Sequence, residues 1–200
     1  MCFISHQYLI ITPVREYHVV MKSIDLIKQA DPTKLSVLKY PDPRLRTPCL
    51  DIEVIDENLR TLVDAMQNLM FATNGVGLAA PQVGVTIRMF IASPTFNPED
   101  SRVYINPQII ESLGTQEDEE GCLSLPGIFA QIKRSRIITI EATDLDGNIF
   151  RETGEDLAAR VFQHETDHLD GKLMLDRMGS VSKLASRKTL KKLELEFSEQ

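Results

Sequence analysis

The sequence predicts an α+β fold, in which antiparallel strands pack around a central helix and a further helix ends the chain. Three observations support this prediction. Apolar residues recur at helical spacing over residues 57–74, β-branched and alternating segments fill residues 87–150, and helical character returns from residue 153 onward. With 200 residues, 42% of them hydrophobic and 26% charged, the chain is long enough to bury one core without disulfides.

Composition excludes several classes of protein. A net charge of −7 argues against a protein that grips DNA over its whole surface. No run approaches the roughly 18 apolar residues of a membrane span, and the N-terminus lacks the basic segment of a secretory signal. Three scattered cysteines (Cys2, Cys49 and Cys122) are too few for a disulfide framework, which favours a reducing compartment. We therefore expect a cytoplasmic protein without membrane or DNA partners.

The two ends of the chain differ from its centre. Residues 1–33 show no clear hydrophobic period and are interpreted as a poorly specified N-terminal extension, in which Met21 is an alternative start. Residues 34–180 are expected to form the main, catalytic domain, which begins with a loop because Tyr-Pro-Asp-Pro at 40–43 forces turn or extended backbone. Residues 181–200 are expected to form a basic C-terminal helix.

Periodicity predicts the first elements of the main domain. Residues 57–74 carry one apolar stripe and end before Gly75, a natural C-cap, so they are predicted to form a core helix. An Asp-Gly pair at 146–147 predicts a hairpin turn that leads into Ile149 and Phe150. Strands are predicted at 87–91, 103–105, 121–125, 128–133 and 137–144.

Two helices follow the strands. Residues 153–170 return to helical spacing and end at Gly171, and a last helix is predicted from about 180 to 197. The first of these is the predicted central helix, because it contains the H-E-x-x-H motif that begins at His164 and ends at His168.

The H-E-x-x-H motif can hold a catalytic metal. Histidines at i and i+4 project from one face of a helix, so the imidazoles of His164 and His168 can share a divalent ion. Glu165 then lies where it can take a proton from a water that the ion acidifies. The plain alternative is a charged helix that contains two histidines by chance, but a chain with 4 histidines makes this a poor explanation.

A catalytic ion needs a third protein ligand. Cys122 follows Gly121 in a short apolar segment where backbone can approach another group closely, although a cysteine in a strand is more often a small buried hydrophobe. His6 and His18 lie in the N-terminal extension and are expected to be exposed to solvent. Cysteine spacing alone does not decide between Cys122 and Cys49.

Three segments together resemble the signature motifs of the peptide deformylase family. They read Gly-Val-Gly-Leu-Ala-Ala-Pro-Gln at 75–82, Glu-Gly-Cys-Leu-Ser at 120–124 and Gln-His-Glu-Thr-Asp-His at 163–168. They stand in the family's order, and the resemblance extends from about residue 35 to residue 177. It implies a metal-dependent hydrolase that removes the N-formyl group from the N-terminal formyl-methionine of newly synthesised polypeptides and releases formate.

The resemblance also implies roles for individual catalytic residues. Glu165 would be the catalytic acid and base. The side-chain amide of Gln82 and the backbone N–H of Leu123 would donate hydrogen bonds to the developing oxyanion. The implied metal ligands are Cys122, His164 and His168.

The same resemblance implies how substrate and metal are bound. Backbone at Val76 and Gly77 would pair with the peptide as an added strand, and Val161 would line the methionine pocket with Glu120 at its edge. One divalent ion would be bound per chain. The family implies Fe²⁺ as the physiological ion, and a thiolate with two imidazoles also accepts Zn²⁺, Ni²⁺ or Co²⁺.

Several positions depart from the family's pattern. An arginine that contacts the peptide in some members, near the position of Phe129, is not available here. Asp118 and Arg160 stand where pocket-lining apolar residues are common, so we expect a methionine pocket of different shape or polarity. Glu120 and Arg134 are expected to form a structural ion pair behind the cysteine segment.

The C-terminal helix departs from the acidic average of the chain. A solvated helix face is the plain interpretation of its charges. The resemblance implies instead a basic helix that docks on the ribosome through phosphate contacts. Five basic residues occur within ten positions, without an acidic residue among them: Lys183, Arg187, Lys188, Lys191 and Lys192.

Two other functions stay open at this stage. A metallopeptidase of the H-E-x-x-H type would share His164, Glu165 and His168 but usually takes its third ligand downstream, and no histidine follows His168. A catalytically silent metal-binding or ribosome-associated module would need neither Glu165 nor Gln82, and structural metal sites prefer four protein ligands.

Overall fold

The structure is a computed structural model and describes residues 21–199. Within that range the chain forms five α-helices and seven β-strands, and the fold is α+β as predicted. None of the helices in this range has the length and apolar character needed to cross a bilayer. The helices are α1 (Ser23–Gln29), α2 (Glu57–Ala72), α3 (Leu157–Leu169), α4 (Met174–Arg177) and α5 (Ser180–Ser198). The strands are β1 (Gly77–Ala79), β2 (Met89–Ala92), β3 (Arg102–Leu113), β4 (Gln116–Gly121), β5 (Phe129–Arg134), β6 (Ile137–Thr143) and β7 (Ile149–Glu155).

The strands form two antiparallel sheets. The main sheet has the order β1-β2-β3-β6-β7, and each neighbouring pair is antiparallel. Strands β4 and β5 pair only with each other within the described residues, as a hairpin inserted between β3 and β6. Because β1 lies at one end of the strand order, it is an edge strand.

The side chains of β2 point alternately to the two faces of the main sheet, and both faces are covered. Met89 and Ile91 pack in one core cluster with the apolar stripe of α2. Phe90 and Ala92 point the other way and pack in a second cluster with residues of α3 such as Phe162. The sheet therefore lies between α2 and α3, and α3 is the central helix that was predicted.

A third core cluster holds the β4–β5 hairpin against the C-terminal helices. Ile132 of β5 packs there with Met174 of α4 and Leu193 of α5, and all three side chains are buried. This cluster holds the cysteine-bearing end of the hairpin against α4 and α5.

The central helix is shorter than predicted at its N-terminal end. It begins at Leu157, and residues 153–155 continue β7 by pairing with β6. Gly154 permits this close strand–helix approach, because a Cβ at Gly154 would lie 2.7 Å from Phe162 Cε2 and 2.9 Å from Ala158 Cβ.

The prediction of a strand at 121–125 is wrong. The strand ends at Gly121, and Cys122 begins a turn in which the Leu125 N–H donates to the Cys122 carbonyl at 2.9 Å. Pro126 and Gly127 explain the difference, because proline donates no backbone hydrogen bond and Gly127 has a φ of +75°. The acidic strand β4 itself was not predicted.

Part of the segment interpreted as an N-terminal extension is ordered structure. Residues 23–29 form α1, and Ile27, only 3% exposed, packs in the same core cluster as α2. A seven-residue helix with two buried residues, only one of them apolar, gives too short a pattern for sequence periodicity to detect. His6 and His18 lie outside the described residues.

Candidate functional site

Helix α3 and the turn after β4 bring three metal-ligating side chains together. The rings of His164 and His168 have their centroids 5.0 Å apart, and Cys122 Sγ lies 3.4 Å from His168 Nε2. One ligand atom from each of the three residues lies within 4.8 Å of the others. This spacing suits one shared ion and confirms that the three residues can form a metal site.

The choice between the two cysteines follows from their surroundings. Burial raises the pKa of Cys49 to about 12, so that thiol stays protonated at neutral pH. Burial would also raise the pKa of Cys122, but the nearby imidazoles of His168 and His164 outweigh burial and lower it to about 5. These surroundings favour the thiolate form of Cys122, which is the form that binds metals.

The orientation of the two imidazoles supports the same assignment. Nδ1 of His168 is buried and has no hydrogen-bond partner among the described residues, while Nε2 faces Cys122. His164 has its Nδ1 3.1 Å from Glu120 Oε2, which leaves its Nε2 for the shared site. The donor set of one thiolate and two imidazoles thus fits a divalent transition metal.

Glu120 lies directly behind His164, one of the three side chains that can hold a metal. Its carboxylate is 5% exposed and accepts hydrogen bonds from Arg134 at 2.8 and 3.0 Å and from Arg160 at 2.6 Å. Burial alone would raise the pKa of Glu120, but the hydrogen bonds from Arg134 and His164 outweigh it and hold the pKa well below its ordinary value. A carboxylate in this position orients the imidazole and raises its basicity as a ligand.

The expected ion pair between Glu120 and Arg134 is present, and it is buried and part of a longer network. Arg134 also donates to Asp167 at 2.6 Å, and Asp167 accepts from Arg177 at 2.5 and 3.0 Å. Asp167 lies between the two histidine ligands in sequence but faces this network. Sequence analysis missed Asp167, Arg177 and the role of Arg160, because no local pattern pairs residues so far apart along the chain.

Glu165 lies against strand β1. It is 4% exposed, and burial raises its pKa above the ordinary value although the imidazoles of His164 and His168 act in the opposite direction. A Cβ at Gly77 would lie 2.8 Å from Glu165 Cδ, so only glycine fits there. Burial thus leaves Glu165 with a raised proton affinity beside the metal ligands, as a proton carrier requires.

Gln82 is held rigidly with its amide directed at the site. Its Oε1 accepts from the Ala79 N–H at 2.9 Å, and its Nε2 donates to Ser124 Oγ at 3.2 Å and lies 3.7 Å from Cys122 Sγ. Gln82 is 2% exposed, so the amide has little freedom to turn. Ser124 is a further contact that sequence analysis missed.

A cleft of about 440 Å³ opens beside these side chains. Arg160 lines it, while Asp118 is exposed on β4 and does not. Two exposed apolar side chains, Phe129 and Leu157, lie on its wall at 63% and 46% exposure. The residues predicted to bind substrate or stabilise the oxyanion all line this cleft: Val76, Gly77, Gln82, Glu120, Leu123 and Val161.

Several known proteins are similar to this chain in sequence and in fold. Residues 34–184 match the polypeptide deformylase family. The peptide deformylase of Acidobacterium capsulatum is 42% identical over 160 residues, which are 79% of this chain and 94% of that protein. Peptide deformylase 1B, chloroplastic/mitochondrial, of Arabidopsis thaliana is 41% identical over 170 residues, which are 84% of this chain and 62% of that protein.

Solved structures agree with the sequence matches. The peptide deformylase of Plasmodium falciparum superposes with a TM-score of 0.80 at 35% identity, covering 82% of this chain and 98% of that one. Sequence, fold and the grouped ligands thus point the same way. The chain belongs to the peptide deformylase family.

Proposed function

We propose that the residues of this cleft carry out the family's reaction, the removal of the N-formyl group from the formyl-methionine of nascent polypeptides. The observation that carries the proposal is the convergence of Cys122, His164 and His168 beside a buried Glu165. A purely structural metal site has no use for a buried carboxyl with a raised pKa next to the ligands.

The reaction is hydrolysis of a formamide. Its C–N bond breaks, the formyl carbon takes the oxygen of water and leaves as formate, and the nitrogen takes a proton to become the free amine. The difficult requirements are therefore a nucleophile at neutral pH and a proton for the departing nitrogen.

We assign the metal to Cys122, His164 and His168, one divalent ion per chain. Bound there, the ion supplies Lewis-acid chemistry, which can bring the pKa of water from about 15.7 to about 7. The donor set suits Fe²⁺, which the family resemblance favours, and equally Zn²⁺, Ni²⁺ or Co²⁺.

Glu165 carries the proton. Its carboxylate accepts a proton from the attacking water and passes it to the nitrogen as the C–N bond breaks, so that the amine does not leave as an anion. Burial raises the pKa of Glu165, which suits a group that must both accept and release a proton near neutral pH.

Gln82 and Leu123 stabilise the oxyanion. The Nε2 of Gln82 is fixed by the Ala79 and Ser124 contacts, and the Leu123 N–H stands next to the Cys122 ligand in the same turn. Preorganised donors need no rearrangement when negative charge develops on the oxygen, and loss of one costs on the order of 10²–10³ in rate.

The peptide binds along the edge of the main sheet. Strand β1 has an open edge on the cleft side, and Val76 and Gly77 lie where an extended peptide can pair with it. Val161 and Glu120 line the pocket for the first side chain.

We place the enzyme in the cytoplasm, as proposed from its composition.

The test is formate release from formyl-Met-Ala-Ser by anaerobically prepared, Fe²⁺-loaded protein. We expect formate and free Met-Ala-Ser in equal amounts. Cleavage of an internal peptide bond instead of formate release would support the metallopeptidase alternative, and absence of both products with the metal bound would support the silent module.

A further inference from the structure

The two elements that carry the proposed metal ligands do not share an apolar core. Cys122 follows β4, whereas His164 and His168 belong to α3. Among the described residues, the apolar cluster that contains side chains of α3 includes none from the β4–β5 hairpin. The cluster that contains the hairpin likewise includes none from α3. Direct apolar packing therefore does not set the spacing between the sulfur and the two imidazoles.

A polar stripe of α3 faces the hairpin instead. Its four side chains lie three or four positions apart on one face of the helix, and we call them the polar seam: Arg160, Gln163, His164 and Asp167. Arg160 and His164 contact Glu120 of β4, with Nη1 and Nδ1 at 2.6 and 3.1 Å from its oxygens. Gln163 donates to the carbonyl of Ser135, just after β5, at 2.9 Å and accepts from its N–H at 3.0 Å. Because hydrogen bonds are directional, the seam fixes where α3 lies along the hairpin.

Asp167 is the member of the seam next to His168. Its Oδ2 accepts from Arg134 Nη1 at 2.6 Å, while Nε and Nη2 of Arg134 bind Glu120. One guanidinium of β5 thus joins a carboxylate of α3 to a carboxylate of β4, the strand that leads into the cysteine turn. Arg177 of α4 binds the same Asp167 carboxylate at 2.5 and 3.0 Å. Asp167 and Arg134 are both buried, so these hydrogen bonds form in a medium that strengthens them.

We propose that Asp167 is a positioning residue, which holds the His168 end of α3 against the hairpin and so sets the spacing of the three metal ligands before an ion binds. The inference rests on the proposed function, because it takes the three grouped side chains to be the ligands. Ligands that are already held in their binding geometry need not be ordered when the ion arrives. This preorganisation appears as metal affinity.

A network that only stabilises the fold leads to a different expectation. In that case the loss of Asp167 lowers the melting temperature, but the protein that stays folded binds metal as before. Asp167→Asn separates the two cases. The amide keeps the shape of the side chain but has only one acceptor oxygen, so it cannot satisfy both Arg134 and Arg177.

The test measures the Co²⁺ affinity of the metal-free protein by competition with a chelator, well below the melting temperature. Co²⁺ suits a donor set of one thiolate and two imidazoles, and the visible absorption of the bound ion reports the geometry of its ligands. The variants are D167N and R177M. R177M removes the outer partner of Asp167 and leaves Arg134 in place.

Each variant has a matched control on the same element or pairing with it. D170N changes an aspartate that directly follows α3 and pairs with Arg88 at 3.0 Å. R46M removes an arginine that pairs with Asp176 of α4, the residue before Arg177. Both controls lie outside the polar seam, so they remove an ion pair without loosening Asp167.

We expect D167N to weaken Co²⁺ binding by about tenfold or more and to change the absorption spectrum, as the loss of a group that orients metal ligands does. R177M should weaken binding by a smaller factor, and both controls should match the wild type. Wild-type affinity and spectrum in D167N would overturn the inference. If D167N does not fold, R177M decides in the same way, because the side chain of Arg177 is 45% exposed and its loss leaves the core intact. A wild type that binds no Co²⁺ would contradict the proposed metal site, and the role of Asp167 with it.

Discussion

At the scale of single residues, one carboxylate holds a proposed metal ligand and two buried cations in place. Glu120 orients His164 and neutralises Arg134 and Arg160 at the same time. The three motifs allowed the grouping of Cys122, His164 and His168 to be predicted from the sequence. Of the partners of Glu120, Arg134 was predicted and is present, whereas Arg160 was not predicted, because it is forty positions away along the chain and only the packing of α3 brings it to Glu120.

Replacing Glu120 by Gln should weaken metal binding and the fold together. A neutral amide orients His164 less firmly, so metal affinity should fall by about 10–100-fold. The buried guanidinium of Arg160 also loses its counter-charge, while Arg134 keeps Asp167, and leaving one buried charge unpaired typically costs about 3–5 kcal/mol. Metal titration and thermal melting check these outcomes, with E119Q as control because Glu119 is exposed on the same strand. An E120Q protein that melts and binds metal like the wild type would show that Glu120 supports neither.

At the scale of elements, predictions succeeded where the local pattern and the tertiary contacts agree. Helix α2 buries one continuous apolar stripe, so the spacing of its apolar residues was sufficient to predict the helix. Strand β4 reads Gln-Glu-Asp-Glu-Glu-Gly, a composition that disfavours strands, and its pairing with β5 overrides that preference. The cysteine turn was missed for the opposite reason, because its apolar residues resemble a strand although Pro126 and Gly127 bend the chain.

The turn at Pro43–Arg46 provides an element-scale test of pH dependence. Asp42 caps this turn through the Arg44 N–H, and its side chain also binds the Arg44 guanidinium at 3.0 and 2.7 Å. These hydrogen bonds from Arg44 hold the pKa of Asp42 below its ordinary value. Its stabilising effect is therefore complete above the unfolded-state pKa of about 3.9 and is lost as pH falls through the lowered folded-state pKa.

Substitution of Asp42 by Asn keeps a capping side chain but loses the ion pair with Arg44, so it should destabilise the protein by about 0.5–1 kcal/mol near pH 7. The difference from the wild type should shrink as the pH falls below about 4. Urea unfolding at several pH values measures it. A difference that stays constant from pH 7 to pH 3 would mean that the charge of Asp42 is irrelevant.

At the scale of the whole molecule, the C-terminal helix is both a structural element and a candidate docking surface. Leu193 of α5 is buried in the third core cluster, and Tyr40 donates a hydrogen bond to Glu194 at 3.0 Å. Deletion of residues 181–200 would therefore disturb the core as well as any surface contact. The five basic side chains of α5 are exposed and can be changed without touching that core.

We propose that this basic face contacts the ribosome, and charge reversal tests it. The triple substitution K183E/K188E/K191E should abolish a salt-sensitive association with ribosomes, because phosphate contacts lose affinity with each lysine removed. Co-sedimentation over a range of salt concentrations measures this. The control changes three exposed lysines at the other end of the described chain, as K22E/K28E/K34E, with the same change in net charge. Equal sedimentation of both triple variants and the wild type would contradict the contact.

The central claim is that Cys122, His164 and His168 hold the metal while Glu165 carries the proton. The most direct measurement is metal content and formate release for the Fe²⁺-loaded wild type and Glu165→Gln, side by side under anaerobic conditions. We predict one metal per chain in both proteins and a loss of formate release of about 10²–10⁴ in the variant. Wild-type turnover by the variant with its metal bound would contradict the assigned role of Glu165, and loss of the metal itself would place Glu165 among the groups that hold the ion.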